Sequence, residues 1–163
     1  DEHGRERGLP RTREPALLAF AGTDIHGRAQ WLESDAAAAW RRMQRAAVAD
    51  GVSLQLVSAF RSIAYQSGIF ARKLARGESL DAILRVNAAP GYSEHHGGRA
   101  LDLATPGYPA LEEPFEQSPA FAWLRANAQR FGFVLSYPRG NPHGIAYEPW
   151  HWRFDPASAA RSA

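Results

Sequence analysis

Two short stretches, far apart in the chain, carry the side chains best suited to metal chemistry. Residues 93–102 contain His95 and Asp102 beside a glycine pair, and residues 148–151 contain His151. Two imidazoles and one carboxylate make a reasonable catalytic zinc shell, and three protein ligands leave one position for water. Each residue alone would pass as an unrelated polar side chain, but all three lie among Gly, Ala and Trp, where buried imidazoles and carboxylates need partners. The sequence therefore predicts one zinc ion bound by His95, Asp102 and His151.

A carboxylate three residues before the last of these ligands is the candidate general base. Zinc polarises a carbonyl group and makes water more acidic, so hydrolysis at such a site requires a nearby proton acceptor. Glu148 precedes His151 by three positions, and Pro149 disfavours a helix between them. We therefore predict that the two residues lie at the entrance of a strand, with Glu148 over the reacting water and His151 on the metal.

Two further histidines are not expected to be ligands. His96 follows His95 directly and would point the opposite way on an extended chain, and His143 lies in a Gly/Pro loop. We predict that both lie at the surface or behind the ligands.

Composition limits the classes of function that the chain can have. Its 163 residues, 45% of them hydrophobic, are enough for one domain with a buried core, and the absence of cysteine excludes thiolate zinc sites and thiol nucleophiles. The net charge is only +2, and arginine supplies all but one of the 19 Lys and Arg residues, so we predict no nucleic-acid partner.

No apolar run approaches about 20 residues, which predicts no membrane span in this sequence. The chain starts at Asp1, and we expect a mature or trimmed product in which no signal or anchor is present.

The order of the predicted elements indicates an α+β fold. Residues 1–15 are charged and poor in apolar groups, so we expect a flexible segment before a single domain of residues 16–163. Trp40 and Met43 share one face of a predicted helix and should be core, whereas Asp102, in a short strand, should face the site. Helices are predicted at 36–49, 63–76, 79–86 and 118–130, and loops at 87–91, 104–117 and 138–144. Strands are predicted at 52–56, 100–103 and 133–137, with a last strand or strand pair at 145–154. Because helices and strands do not alternate as βα units, we predict a central, mainly antiparallel sheet with flanking helices around the zinc site.

Three motifs, in this order, resemble the zinc D-alanyl-D-alanine carboxypeptidases of the VanY type. They are Ser58-Ala59-Phe60-Arg61-Ser62, the spacing Ser93-x-His95-x-x-Gly98-x-Ala100-x-Asp102, and Glu148-Pro149-Trp150-His151-Trp152-Arg153. The resemblance spans residues 50–154. The wider group includes lysostaphin-like and hedgehog-like domains, and it implies an α+β fold around a single zinc ion.

The resemblance implies the same three ligands and the same base as the residues do, and it adds a substrate site. Arg61 would orient the end of the substrate peptide through its planar fork of donors, together with Gln66 and Ser93. The implied enzyme is a zinc peptidase, in the periplasm or elsewhere outside the cytoplasm, that removes a C-terminal D-alanine from peptidoglycan stem peptides as a D,D- or L,D-carboxypeptidase. We expect the protein to be a monomer. The loop at 141–144 departs from the Thr-Gly expected there, and we expect it to shape the pocket and so to influence substrate choice.

Two other functions are compatible with these residues. A stem-peptide endopeptidase of the phage-lysin type would show the same ligands but release internal fragments. A zinc-stabilised cell-wall binding module would bind without turnover, and the presence of Glu148 argues against it.

Overall fold

The described chain combines two antiparallel strand systems with helices that flank them. The computed structural model describes residues 7–159. In chain order the elements are β1 (Ala19–Thr23), β2 (Ala29–Leu32), α1 (Ser34–Ala49), β3 (Gln55–Ser58), α2 (Ile63–Ala75), α3 (Leu80–Arg85), β4 (Ala100–Ala104), α4 (Pro119–Asn127), β5 (Phe133–Leu135), β6 (His151–Phe154) and α5 (Pro156–Ala159), with 3₁₀ turns at Glu94–Gly97, Glu113–Gln117 and Ala128–Phe131. The predicted α+β class is confirmed. None of the helices in this part of the chain has the length and hydrophobicity needed to cross a membrane.

The four-stranded sheet, in the order β3-β4-β6-β5, has one face toward the core and one toward the site. In the antiparallel pair β4 and β6, Asp102 lies opposite His151 and Leu101 lies opposite Trp152. Because side chains alternate along a strand, Asp102 and His151 share one face. Leu101 and Trp152 point to the other face, where they join the core cluster that contains Trp40 of α1. Asp102 therefore faces the site, and Trp40 is core, as predicted.

A β-hairpin over residues 19–32 is missing from the sequence-based prediction. The turn is fixed by Asp24, whose carboxylate accepts hydrogen bonds from the backbone N–H of His26 (2.8 Å) and of Arg28 (3.0 Å) and from the side chains of Arg28 and Gln30. Burial opposes ionisation of this carboxyl, but these hydrogen bonds lower the pKa of Asp24 to about 2. The strands are only five and four residues long, and Gly22 interrupts the first of them, so their pattern gave little signal.

The prediction of a strand over residues 145–154 is wrong in its first half. Residues 145–150 form a loop, and β6 begins at His151 because a tight turn precedes it, in which the His151 N–H donates to the Glu148 carbonyl at 3.1 Å. The predicted helix before β5 is also shorter, since α4 ends at Asn127 and a 3₁₀ turn follows it. Gly132, with φ of +82°, closes that turn.

The segment before β1 contacts the rest of the chain. Residues 1–6 of the predicted flexible segment lie outside the described residues. Leu9 is buried in a small cluster with Tyr137, and the Thr12 N–H donates to the Gly91 carbonyl at 2.8 Å. Part of this segment is thus packed, while its boundary with the domain stays a prediction.

Candidate metal and catalytic site

The three predicted metal ligands come from three different elements and converge on the site face of the sheet. His95 lies in the 3₁₀ turn Glu94–Gly97, Asp102 in β4, and His151 at the start of β6. One ligand atom from each lies within 4.8 Å of the others, and all three residues are buried. Oδ2 of Asp102 is 3.2 Å from Nε2 of His95, and Oδ1 is 3.0 Å from Nδ1 of His151. The carboxylate therefore lies between two imidazoles, in an arrangement suited to a metal ion.

A backbone hydrogen bond orients the ring of His95. Nδ1 of this ring donates to the Ala59 carbonyl at 2.7 Å, because a carbonyl oxygen can only accept. The lone pair of Nε2 is thereby left facing Asp102. Gly98 lets the chain pass directly from this turn into β4: its φ is +64°, and a Cβ there would lie 2.8 Å from the backbone nitrogen of Glu33.

His151 is enclosed by two carboxylates and an aromatic ring. Asp102 faces Nδ1, and Oε2 of Glu94 lies 2.9 Å from Nε2. Oε1 of Glu94 is in turn 3.0 Å from Nε of Arg153. The Tyr137 ring stacks on the imidazole with 4.8 Å between ring centroids and an interplanar angle of 28°. The orientation of this ligand is therefore fixed from three sides.

The charges around the three ligands favour a bound cation. Burial disfavours a charged imidazole, yet hydrogen bonds to Asp102 and Glu94 raise the pKa of His151 to about 10. Burial lowers the pKa of His95, which keeps that ring neutral and its lone pair free. Burial opposes ionisation of Asp102, but the neighbouring histidines hold the pKa of this carboxyl well below its usual range. The carboxylates that hold a proton on His151 would equally stabilise a metal cation bound in its place. Two nitrogen donors and one oxygen donor suit zinc. The residues therefore fit one zinc ion.

Glu148 lies beside the ligands without joining them. Its Oε2 is 3.9 Å from Nδ1 of His151. The Glu148 backbone is held on both sides, by an N–H that donates to Tyr137 and a carbonyl that accepts from His151, each at 3.1 Å. Burial is the main cause that raises the pKa of Glu148 to about 7. A carboxyl group that exchanges its proton near neutral pH has the property required of a general base.

Arg61 and Gln66 line the same cleft, whose volume is about 910 Å³, as the metal ligands. Nη2 of Arg61 lies 3.6 Å from Oδ2 of Asp102, and Nη1 donates to Oε1 of Gln66 at 2.9 Å. The Gln66 amide nitrogen donates to the Ala88 carbonyl, also at 2.9 Å. Both the oxygen and the nitrogen of the buried Gln66 amide thus form hydrogen bonds, and the oxygen holds the guanidinium group of Arg61.

Ser93 and His96 support the turn that carries His95. Ser93 also lines the cleft, and its Oγ accepts the His95 N–H at 3.3 Å. His96 is completely buried, not at the surface, and its Nδ1 donates to the Arg61 carbonyl at 2.6 Å. His143 is partly exposed, and its Nδ1 lies 2.9 Å from the carbonyl oxygen of Arg7. The metal group found among the described residues contains neither His96 nor His143.

Sequence reasoning missed Glu94, Tyr137 and Arg153. Two of them carried a usable signal, because Glu94 directly precedes a predicted ligand and Arg153 follows His151 by two, which places both on the same face of a strand. Tyr137 reaches His151 through the packing of a loop, which no local pattern predicts.

The chain is similar to several known carboxypeptidases. The family model of the VanY D-alanyl-D-alanine carboxypeptidases matches residues 29–157. A D-alanyl-D-alanine carboxypeptidase of Enterococcus faecium is 32% identical over 127 residues, which cover 76% of this chain and 37% of that protein. The structure of the LD-carboxypeptidase LdcB matches with a TM-score of 0.79 at 29% identity, over 93% of this chain and 74% of that one. A vancomycin-resistance D,D-pentapeptidase VanY, in complex with Zn(II), matches with a TM-score of 0.68 at 27% identity, over 94% of this chain and 90% of that one.

The relatives are in part longer proteins. The chain spans 60% of the length of a Bacillus subtilis relative that is 31% identical, and a smaller share of the Enterococcus faecium enzyme. The family match nevertheless covers most of the chain and includes every ligand and the candidate base. The chain belongs to the VanY D-alanyl-D-alanine carboxypeptidase family.

Proposed function

We propose that the chain is a zinc-dependent carboxypeptidase that removes a C-terminal D-alanine from peptidoglycan stem peptides. The observation that carries this proposal is the presence, in one cleft, of the buried metal group, of Glu148 with its raised pKa and of Arg61. The substrate class comes from the relatives. One is the LD-carboxypeptidase LdcB, whose structure reveals how it recognises peptidoglycan, and another is a D,D-pentapeptidase.

The metal would be held by His95, Asp102 and His151. Zinc, when bound, polarises a carbonyl oxygen and lowers the pKa of water. Nε2 of His95 and Nδ1 of His151 are the ring nitrogens that face Asp102, so these are the nitrogens that the chain offers.

Glu148 carries the proton in this mechanism. Its carboxylate accepts a proton from water as the water oxygen attacks the carbonyl carbon of the scissile peptide bond. The same carboxyl group then gives the proton to the amine nitrogen of the leaving D-alanine as the C–N bond breaks. The distance of 3.9 Å between Glu148 and His151 supports this role, because the carboxylate is not tied up in a hydrogen bond to the ring.

Arg61 stabilises negative charge in the same cleft. Its planar fork of donors suits the terminal carboxylate of the substrate or the oxyanion that forms during attack. Gln66 acts through Arg61, since the amide oxygen accepts from Nη1. The hydroxyl of Ser93 is the third group proposed to orient the substrate, and its position in the lining of the cleft supports this role.

The proposal includes where and how the protein acts. A substrate in the cell wall implies action outside the cytoplasm, in the periplasm or an equivalent compartment. We also propose that one chain suffices, because all the named groups come from a single copy.

The test is incubation of the zinc-loaded protein with tetrapeptide and pentapeptide stems, followed by mass spectrometry of the products. Release of free D-alanine alone supports the proposal, and the stem that is cut separates L,D- from D,D-specificity. Internal fragments would instead identify an endopeptidase, and binding without release would identify a binding module. The Glu148→Gln protein, assayed in parallel, controls for contaminating peptidases.

A further inference from the structure

We infer that Glu94 is a positioning residue that determines which nitrogen of His151 is offered to the metal. The inference rests on the proposed function, because it concerns the zinc site of that activity. Oε2 of Glu94 lies 2.9 Å from Nε2 of His151, and Oδ1 of Asp102 lies 3.0 Å from Nδ1, on the other side of the ring. An ionised carboxylate can only accept hydrogen bonds, so Glu94 requires a proton on Nε2. The lone pair of Nδ1 is then the one that points to the metal site.

The Glu94 carboxylate is itself held in place. Nε of Arg153 lies 3.0 Å from its Oε1, and only 16% of the Glu94 side chain is exposed. Arg153 follows His151 by two residues in β6, so both side chains leave the same face of the strand. Strand β6 therefore supplies both the ligand His151 and the cation Arg153, which holds Glu94 against that ligand.

His151 depends on this contact more than His95 depends on any side chain. The ring of His95 is oriented by the backbone carbonyl of Ala59, which no substitution removes. In contrast, the outer nitrogen of His151 has the Glu94 side chain as its hydrogen-bond partner. Without Glu94, the proton of a neutral His151 ring is free to move to Nδ1, where it blocks the lone pair that faces Asp102.

The first experiment measures zinc affinity by competition with a chromogenic chelator, without substrate. Glu94→Ala should weaken zinc binding by about 10- to 100-fold, the usual effect of losing the outer partner of a histidine ligand. Glu94→Gln should lose less, because its amide oxygen still accepts from the Nε2 proton. The matched control is Glu116→Ala. It removes a carboxylate that is not among the metal ligands and that lies 2.8 Å from Nη2 of Arg139, and it should leave zinc affinity unchanged. Thermal unfolding of the zinc-free proteins checks that each variant folds.

The second readout is the position of the proton on His151, from long-range ¹H–¹⁵N spectra of the zinc-loaded wild-type protein. A proton on Nε2 supports the inference, and it does so even if Glu94→Ala fails to fold. A proton on Nδ1 overturns it, as do wild-type zinc affinities in both Glu94 variants. A wild-type protein that binds no zinc would overturn the proposed function as well, whereas equal zinc binding by wild type and variants overturns only the role of Glu94.

Discussion

Oε2 of Glu148 lies 3.9 Å from Nδ1 of His151, close enough to act on the same reacting group but too far to form a hydrogen bond with the ring. A second carboxylate, Glu94, lies on the opposite side of that ring, 2.9 Å from Nε2. Burial raises the pKa of Glu148 to about 7. Burial also disfavours ionisation of Glu94, but its contacts with His151 and Arg153 outweigh this and lower its pKa. This difference supports the separate tasks proposed for the two carboxylates, proton transfer for Glu148 and support of His151 for Glu94.

Glu148→Gln should abolish most turnover and leave the metal in place. The amide has nearly the same size as the carboxylate but cannot accept a proton, and losing a general base lowers turnover by about 10²- to 10⁴-fold. D-alanine release and zinc content, measured on the same sample, check this. Ordinary turnover in a zinc-loaded Glu148→Gln protein would show that another group is the base.

His151→Ala should remove most of the bound zinc, because two ligands do not complete the site. The control is His26→Ala, which removes an exposed histidine outside the metal group. Elemental analysis after dialysis should find one zinc per chain in the wild type and the control, and much less in His151→Ala. Full occupancy in His151→Ala would refute the ligand assignment.

Zinc affinity should keep rising with pH above neutrality. In the zinc-free protein, burial opposes the charge on His151, but hydrogen bonds to Asp102 and Glu94 raise its pKa to about 10. Below that pH the ring must release a proton to bind metal, so zinc affinity should increase by about tenfold per pH unit between about pH 7 and pH 8.5. A histidine with the ordinary pKa near 6.5 would give a flat profile over the same range. Chelator competition at several pH values distinguishes the two.

Arg61→Lys should damage catalysis although it keeps the positive charge. The Arg61 guanidinium contacts Gln66 and Asp102 at once, and an ammonium group cannot reproduce that fork. We expect kcat/KM to fall by about 10²-fold, the order of effect seen when one oxyanion donor is lost. Arg99→Lys, which alters an arginine paired with Glu33, should retain activity.

The same role of Arg61 predicts that a stem peptide with an amidated C-terminus is a poor substrate. An exopeptidase reads the terminal carboxylate, and an amide offers no negative charge to the guanidinium group. The measurement compares cleavage rates for the free acid and the amide of one peptide. Equal rates would favour the endopeptidase alternative.

The metal group could be predicted from the sequence although His151 lies 49 positions after Asp102, because residue type and surroundings mark each of its members. His95 and Asp102 lie seven residues apart around Gly98, and residue type with spacing was enough to select them. The alternation in β4 also gave the direction of Asp102 correctly, since a period of two is a property of the strand itself.

The contacts that the supporting residues make with the ligands could not be predicted in the same way. Glu94 meets His151 across 57 positions of sequence, and Tyr137 stacks on that ring through tertiary packing alone. The hairpin at residues 19–32 was missed because the side chain of Asp24 fixes its turn, and the strands are too short to show a clear alternation. The contacts that the sequence did not predict are therefore those of residues that support the ligands or a turn, because these contacts depend on the finished fold.

The pairing of Asp102 with His151 across β4 and β6 has a consequence for how the protein reaches its native state. The two residues lie directly opposite each other, although 49 positions separate them in the chain. A slip of β6 by one residue would turn His151 to the core face and bring a tryptophan next to Asp102. A chain with slipped strands would keep two of the three ligands and should bind zinc more weakly. At limiting zinc, the ion should therefore bind natively aligned chains in preference to slipped ones, so that zinc should raise the share of correctly aligned chains during refolding.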